Sequence, residues 1–317
     1  MNIDKVDQAA DRLRNVAHRT PVLTCEAINR PAEREVFLKC ELFQKVGAFK
    51  FRGAFNAVSA LDEQTASKGV VTHSSGNHAQ ALALAARLRG VRAHIVMPRN
   101  APAVKRRAVL DYGGRVIECE PTLEAREQTA ADVQQETGAT LIPPYDHPDI
   151  IAGQGTVALE LLDQQPDINA IIAPVGGGGL ISGICVAASA INPRVRVFAA
   201  EPAGADDAFR SKQSGRLIQP VSTNTIADGL LTGLGDLTWP FVRDVVERVI
   251  LVSEEQIRAA MLLLWERAKL VVEPSGAVPL AAVMTEEFRS LEGLDKLGVV
   301  LSGGNVDVAE MLNRSYP

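Results

Sequence analysis

The 317-residue chain predicts an α/β fold with open, mostly parallel sheets flanked by helices. Three observations predict it. Short apolar runs alternate with longer stretches of helical periodicity along the chain. One of the runs, Ala170-Ile171-Ile172-Ala173, is apolar at every position, as a strand covered on both faces should be. Two of the runs end in glycine- or serine-containing turns that lead straight into a helical pattern.

In chain order, the expected strands are Val36 to Cys40, Gly69 to Thr72, Ala93 to Met97, Val116 to Cys119, Ala170 to Pro174, Val195 to Ala200, Val249 to Val252 and Gly298 to Leu301. Helical patterns lie between them, among them Gln80 to Leu88, Leu123 to Glu136, Leu180 to Ile191 and Glu254 to Leu270. The last of these carries Trp265 among Met261, Leu262, Leu264 and Ala268, which reads as core or subunit interface. No low-complexity linker or short repeat divides the chain.

Composition narrows the function. A net charge of −5 offers no basic field for nucleic acid, and 4% aromatic residues offer few stacking platforms. No apolar run reaches the length of a membrane span, and the start Met1-Asn2-Ile3-Asp4-Lys5 has no secretory h-region. Cys25, Cys40, Cys119 and Cys185 form no CxxC pair, so reduced thiols and a cytoplasmic location are expected. No nucleic-acid or membrane partner is expected.

Lys50 sits in Gly47-Ala48-Phe49-Lys50-Phe51-Arg52-Gly53-Ala54, where an extended segment turns into a helix. Ser74-Ser75-Gly76-Asn77-His78 lies at the next strand–helix junction, where Ser75 and Asn77 are also candidates to cap the helix. Gly176-Gly177-Gly178-Gly179 joins the strand Ala170 to Pro174 to a helix. Its backbone N–H groups and the helix N-terminus suit a phosphate. The loop lacks the GxxxxGKS of a P-loop and the pattern of a dinucleotide fold, and a plain tight turn is its bland reading. Leu301-Ser302-Gly303-Gly304-Asn305 follows the last strand, and it too reads blandly as a glycine-rich turn. Glu201 and Asp207 stand six apart on what reads as a loop, Glu201-Pro202-Ala203-Gly204-Ala205-Asp206-Asp207. They are candidates to hold a hard cation, and an acidic, merely solvated loop is the alternative. Histidines His18, His94 and His147 have no ligand spacing.

Taken together, the lysine, serine and glycine motifs resemble fold-type II pyridoxal-phosphate (PLP) enzymes, the tryptophan synthase β-like group. Within it they resemble most the serine racemase and serine/threonine dehydratase family, over nearly the whole chain. The resemblance implies a small substrate domain, 68–143, inserted into a large cofactor domain, 1–67 and 144–317. The sequence stops soon after Asn305, so the regulatory domain of longer threonine dehydratases is not expected, while the resemblance implies a small amino-acid substrate and a homodimer. The resemblance implies that Lys50 holds PLP through an imine and that Gly176, Gly177, Gly178 and Gly179 bind its phosphate. Phe49, Gly229 and Glu273 line the ring, Asn77 meets the ring oxygen, and Ser302 meets the pyridine nitrogen. Ser74, Ser75, Asn77 and His78 grip the substrate carboxylate, with Arg126 and Thr232 at the substrate side. Ser75 faces the substrate opposite Lys50. The resemblance also implies that Glu201, Asp207 and the Ala205 carbonyl hold a divalent cation: magnesium, calcium or manganese.

Ser302 opposite the pyridine nitrogen implies a weak electron sink, which favours prompt loss of a β-leaving group. Tyr145 stands where serine racemases carry asparagine, and dehydratases more often have an aromatic residue there. Ala48 and Ala79 are milder departures from the family pattern. The expected activity is elimination of water from L-serine, L-threonine or 3-hydroxyaspartate, giving a keto acid and ammonia, with possible serine racemisation. The alternatives are a serine racemase with dehydratase side activity, and a non-catalytic PLP- or amino-acid-binding protein.

Overall fold

The computed structural model describes residues 1–220 and 223–308. Its strands are β1 (Val22–Leu23), β2 (Glu35–Cys40), β3 (Val70–His73), β4 (Ala93–Pro98), β5 (Arg115–Cys119), β6 (Thr140–Leu141), β7 (Ala170–Pro174), β8 (Arg196–Pro202), β9 (Val249–Val252) and β10 (Lys296–Leu301). They form a six-stranded sheet in the order β1-β2-β10-β7-β8-β9 and a four-stranded sheet in the order β5-β4-β3-β6. Every pairing is parallel except β1 with β2. β10 lies centrally, with Val299 opposite both Leu38 and Ile172.

Each strand expected from the sequence is present. β1 and β6 were not expected, because two residues are too few to show a period. In β7 the side chains alternate between faces, yet all are apolar and buried. Ile172 joins a core cluster with Phe198, Ile250 and Leu280, while Ile171 joins another with Leu161, Ile184 and Val197. Helices cover both faces of the smaller sheet in the same way, with Ile95 and Met97 on one face and Val71 and Val96 on the other.

Two expectations are corrected. The helix expected over Glu254 to Leu270 ends at Leu263 and continues as a π turn, Leu264–Ala268, before Lys269 adopts a left-handed φ of 61°. The Leu270 N–H bonds back to the Leu264 carbonyl, and the Trp265 indole donates to the Val272 carbonyl, so the turn reverses the chain toward Glu273. Glu201 and Asp207 are not on a loop. Glu201 lies within β8, a 3-10 turn Ala203–Ala205 follows, and Asp207 is the first residue of the helix Asp207–Ser214.

A buried ionic cluster braces the region behind Lys50. Arg52 is fully buried. Its guanidinium donates to both carboxylate oxygens of Glu41 at 2.8 Å, and to those of Glu160 at 2.7 and 2.8 Å. Lys39, also fully buried, donates to Glu160 at 2.7 Å and to the Thr20 carbonyl at 2.9 Å. Two cations and two carboxylates thus compensate one another, with their donors spent on acceptors. The cluster joins the N-terminal segment, the end of β2, the helix Lys50–Ala60 and the helix Pro148–Gln164.

Candidate active site

The candidate residues collect at the carboxyl ends of the parallel strands, where open α/β sheets bind ligands. β10 runs into Ser302, β7 into the four glycines, and β3 into the Ser74–His78 loop.

Lys50 opens the helix Lys50–Ala60. The segment before it is fastened to the segment after β10. Ala48 bridges Gly303, the Phe49 N–H donates to the Ser302 carbonyl at 3.0 Å, and the Gly304 N–H donates to the Gly47 carbonyl at 2.9 Å. Val46 within this approach has φ of 57°, an unfavourable conformation for a β-branched residue. The Lys50 amine donates to the Pro144 carbonyl at 2.8 Å and lies 5.2 Å from the centre of the Phe49 ring. Burial lowers its pKa to about 8, against the opposing pull of the Glu273 carboxylate.

The Ser74–His78 loop does not cap its helix. The helix Asn77–Arg89 has Gly76 at its N-cap and no side-chain cap bond, so Ser75 and Asn77 are not used as caps. Ser74 Oγ accepts from the Gly76 N–H at 3.3 Å. The side chain of Asn77 reaches across to Glu273 Oε1 at 2.9 Å. His78 is buried, with Nε2 on the Ile142 carbonyl at 2.9 Å. Burial first, then the nearby Lys50 charge, lowers its pKa to about 3, so it is neutral, and Nε2 carries the hydrogen that the carbonyl accepts. Arg126 has a buried Nε with no hydrogen-bond partner among the described residues, and its charge acts on His73, the residue before Ser74.

At the glycine loop the missing side chains are structural necessities. A Cβ on Gly177 would lie 2.3 Å from the Tyr145 ring, and one on Gly176 would lie 3.0 Å from the Leu230 Cα. Gly178 has φ of +85°, and a Cβ there would lie 2.7 Å from Thr238. Thr238 Oγ1 donates to the Gly177 carbonyl at 2.8 Å and fixes the turn. The helix Gly179–Ile191 then presents the unpaired N–H groups of its first turn. Thr232 is exposed, and its side chain lies near enough to the Tyr145 phenol to act on it, while burial raises the pKa of that phenol. Gly229 donates its N–H to Ser275 Oγ at 2.9 Å.

The comparisons with known proteins decide the family. The family described as pyridoxal-phosphate dependent enzyme matches residues 13–303. The chain belongs to the pyridoxal-phosphate dependent enzymes. The serine racemase of Arabidopsis thaliana is 54% identical over 98% of this chain and 95% of its own. The beta-hydroxyaspartate dehydratase of Paracoccus denitrificans (strain Pd 1222) is 48% identical, over 96% of each chain. Among solved structures, maize serine racemase superposes with a TM-score of 0.97 at 53% identity, covering 98% of this chain and 95% of its own. The T.th. threonine deaminase superposes with a TM-score of 0.92 at 42% identity, covering 97% of this chain and 99% of its own.

The site of this PLP-dependent enzyme fits the cofactor on its own geometry. The glycine loop has no room for side chains and opens a helix N-terminus, which suits a phosphate. Lys50 offers an amine whose depressed pKa suits imine formation. Glu201 and Asp207 fit a cation in part. Glu201 accepts from the N–H groups of Ala208 and Phe209 at 2.9 and 2.8 Å, and burial raises its pKa to about 8. Asp207 Oδ2 is buried without a partner among the described residues, and burial raises this group to about 6. Among the described residues no three His, Cys, Asp or Glu side chains converge as a metal set, so a cation here would rely on backbone oxygens such as that of Ala205.

Several residues of the site were not singled out from the sequence as acting there. Pro144 acts through its carbonyl, which no side-chain motif reveals. Lys105 pairs with Asp228 at 2.5 Å, across 123 positions of sequence. Asn305, the polar residue ending a glycine run, donates to Asn77 Oδ1 at 2.9 Å. Among the described residues no helix is long and apolar enough to cross a membrane.

Proposed function

We propose that this enzyme eliminates water from a β-hydroxy amino acid, L-serine, L-threonine or 3-hydroxyaspartate, giving a keto acid and ammonia. Racemisation of serine is its second activity. The observation that carries the reading is Lys50: a half-buried residue whose amine has a pKa of about 8, placed at a junction tied to Ser302 and bonded to the Pro144 carbonyl, next to the Tyr145 that packs on the glycine loop. High identity to both a serine racemase and a beta-hydroxyaspartate dehydratase supports both activities.

Phe49, Lys50, Asn77, Gly176, Gly177, Gly178, Gly179, Gly229, Glu273 and Ser302 would hold PLP, which when bound withdraws electrons from the α-carbon of the substrate. Lys50 Nζ moves the α-proton, because its lowered pKa makes the free amine accessible near neutrality. Ser74, Ser75, Asn77 and His78 form the loop that takes the substrate carboxylate, and Arg126 and Thr232 stand at the substrate side. The Ser75 hydroxyl serves the face opposite Lys50, and this second donor is what racemisation needs. Tyr145, packed on Gly177, favours elimination.

A divalent cation at Glu201, Asp207 and the Ala205 carbonyl is part of the proposal, supported by the unpartnered Asp207 oxygen. So is the division into a large domain, 1–67 and 144–317, and a small one, 68–143. It is supported by the four-stranded sheet lying wholly within 70–141; residues 221–222 and 309–317 of the large domain lie outside the described residues. The protein is proposed to act as a homodimer in the cytoplasm. Measurement of keto acid and D-amino acid from L-serine, L-threonine and the 3-hydroxyaspartates tests the activity. Absence of both products from every substrate refutes it.

A further inference from the structure

The orientation of the Asn77 amide follows from a chain of hydrogen bonds that starts at a backbone carbonyl. The Val46 carbonyl can only accept, so the Asn305 atom 2.7 Å from it is Nδ2. The same nitrogen lies 2.9 Å from the Asn77 side chain, so the Asn77 atom facing it is the acceptor Oδ1. Nδ2 of Asn77 therefore faces Glu273 Oε1 at 2.9 Å, and its second hydrogen is left for another acceptor. Glu273 is itself held, because Oε2 accepts from the Asn305 N–H at 3.1 Å.

The backbone is shaped around this arrangement. A Cβ on Gly47 would lie 2.6 Å from Asn305 Oδ1, and a Cβ on Gly303 would lie 2.6 Å from Glu273 Oε1. Both glycines flank the Lys50 and Ser302 segments, and their missing side chains make the seats that Asn305 and Glu273 occupy.

Resting on the cofactor assignment proposed above, we propose that Asn305 and Glu273 are positioning residues that hold Asn77 with Nδ2 as a donor toward the ring oxygen of PLP. A donor there stabilises the deprotonated ring oxygen. An amide turned the other way would present a carbonyl and repel it. Glu273 thus acts through Asn77, beyond any packing against the ring.

The test titrates PLP into the cofactor-free protein and reads the visible absorption band and the dissociation constant, for the wild type, Asn305→Ala and Asn77→Asp. Asn77→Asp keeps the size but has no N–H to donate. Asn305→Ala is expected to weaken PLP binding by roughly fivefold, about one net hydrogen bond. It should also move absorbance from the visible toward the near-ultraviolet, as the ring oxygen regains its proton. Asn77→Asp should do the same and more strongly. If one variant does not fold, the other carries the test. Wild-type affinity and spectrum in the folded variants overturn the proposal. No visible band in the wild type, or a band retained in Lys50→Ala, instead overturns the cofactor assignment and this inference with it.

Discussion

The backbone N–H of Phe49 donates to the carbonyl of Ser302 at 3.0 Å, although the two residues lie at opposite ends of the chain. Lys50 directly follows Phe49, so this bond and the neighbouring Ala48–Gly303 bridge set the amine in register with the end of β10. The proposed anchor of the cofactor and the proposed partner of its pyridine nitrogen are thus two parts of one backbone junction. Lys50→Ala should keep that junction, since no side-chain bond of Lys50 is part of it. The variant is expected to fold with a near-native far-ultraviolet circular dichroism spectrum and to lose both the visible band with PLP and essentially all turnover. Turnover at the wild-type rate would remove Lys50 from the mechanism.

The Arg52 cluster predicts a large loss of stability from a single change. Arg52→Met strands the Glu41 carboxylate, which is fully buried, and removes a partner of Glu160. Removing one member of a buried ion pair typically costs ~3–5 kcal/mol. Urea denaturation of the variant should show a midpoint well below that of the wild type. A shift equivalent to less than about 1 kcal/mol, the size of an exposed pair, would show that the cluster is solvated rather than buried.

How much of this was legible in the sequence varies from residue to residue. The placement of Lys50 and the four glycines at helix starts was legible from the local sequence, and the glycine loop proves to have no room for side chains. Arg52 stood in the same run as Lys50 without a role. Its partners lie 11 and 108 positions away, and no periodicity links them. The strand β7 was legible from its continuous apolar run, whereas β6 is too short to show a pattern. Glu201 was misplaced on a loop because Pro202 ends β8 and reads as a loop residue, while the pairing of Glu201 with Leu251 keeps it in the sheet. The tail of the Glu254 helix kept helical spacing, so its π turn left no trace in the pattern.

Acid should weaken the fold through His78. Its pKa falls from 6.5 to about 3 on folding, chiefly by burial. The unfolded imidazole therefore takes a proton at a higher pH than the folded one. The contribution of the neutral ring is fully present above pH 6.5 and is lost as the pH falls from 6.5 toward about 3. His78→Gln retains a polar group for the Ile142 carbonyl but does not titrate. Denaturation free energies measured from pH 7 down to pH 5 should fall less steeply for His78→Gln than for the wild type. Parallel slopes would show that His78 is solvated.

Magnesium should stabilise the protein through Glu201 and Asp207. Chelation is expected to lower the melting temperature and the turnover rate, and added magnesium to restore both, because a ligand bound only to the folded state stabilises it by mass action. Asp207→Asn, which keeps the size and removes one of the two candidate carboxylate ligands, should blunt the response. An unchanged melting temperature and rate after chelation would reject a bound cation.

The partition between elimination and racemisation tests the central claim most directly. In the proposed mechanism both outcomes need Lys50 on one face of the substrate, and only racemisation needs Ser75 on the other. Ser75→Ala is accordingly expected to impair turnover of D-serine more than that of L-serine, because the enantiomers present the α-hydrogen to opposite faces. The decisive measurement follows keto acid and D-serine together as the unmodified enzyme consumes L-serine, with L-threonine and the 3-hydroxyaspartates run alongside. The account predicts keto acid and ammonia as the dominant products from the β-hydroxy substrates, with D-serine no more than comparable. Racemisation far exceeding elimination, or Ser75→Ala slowing both enantiomers equally, would contradict it.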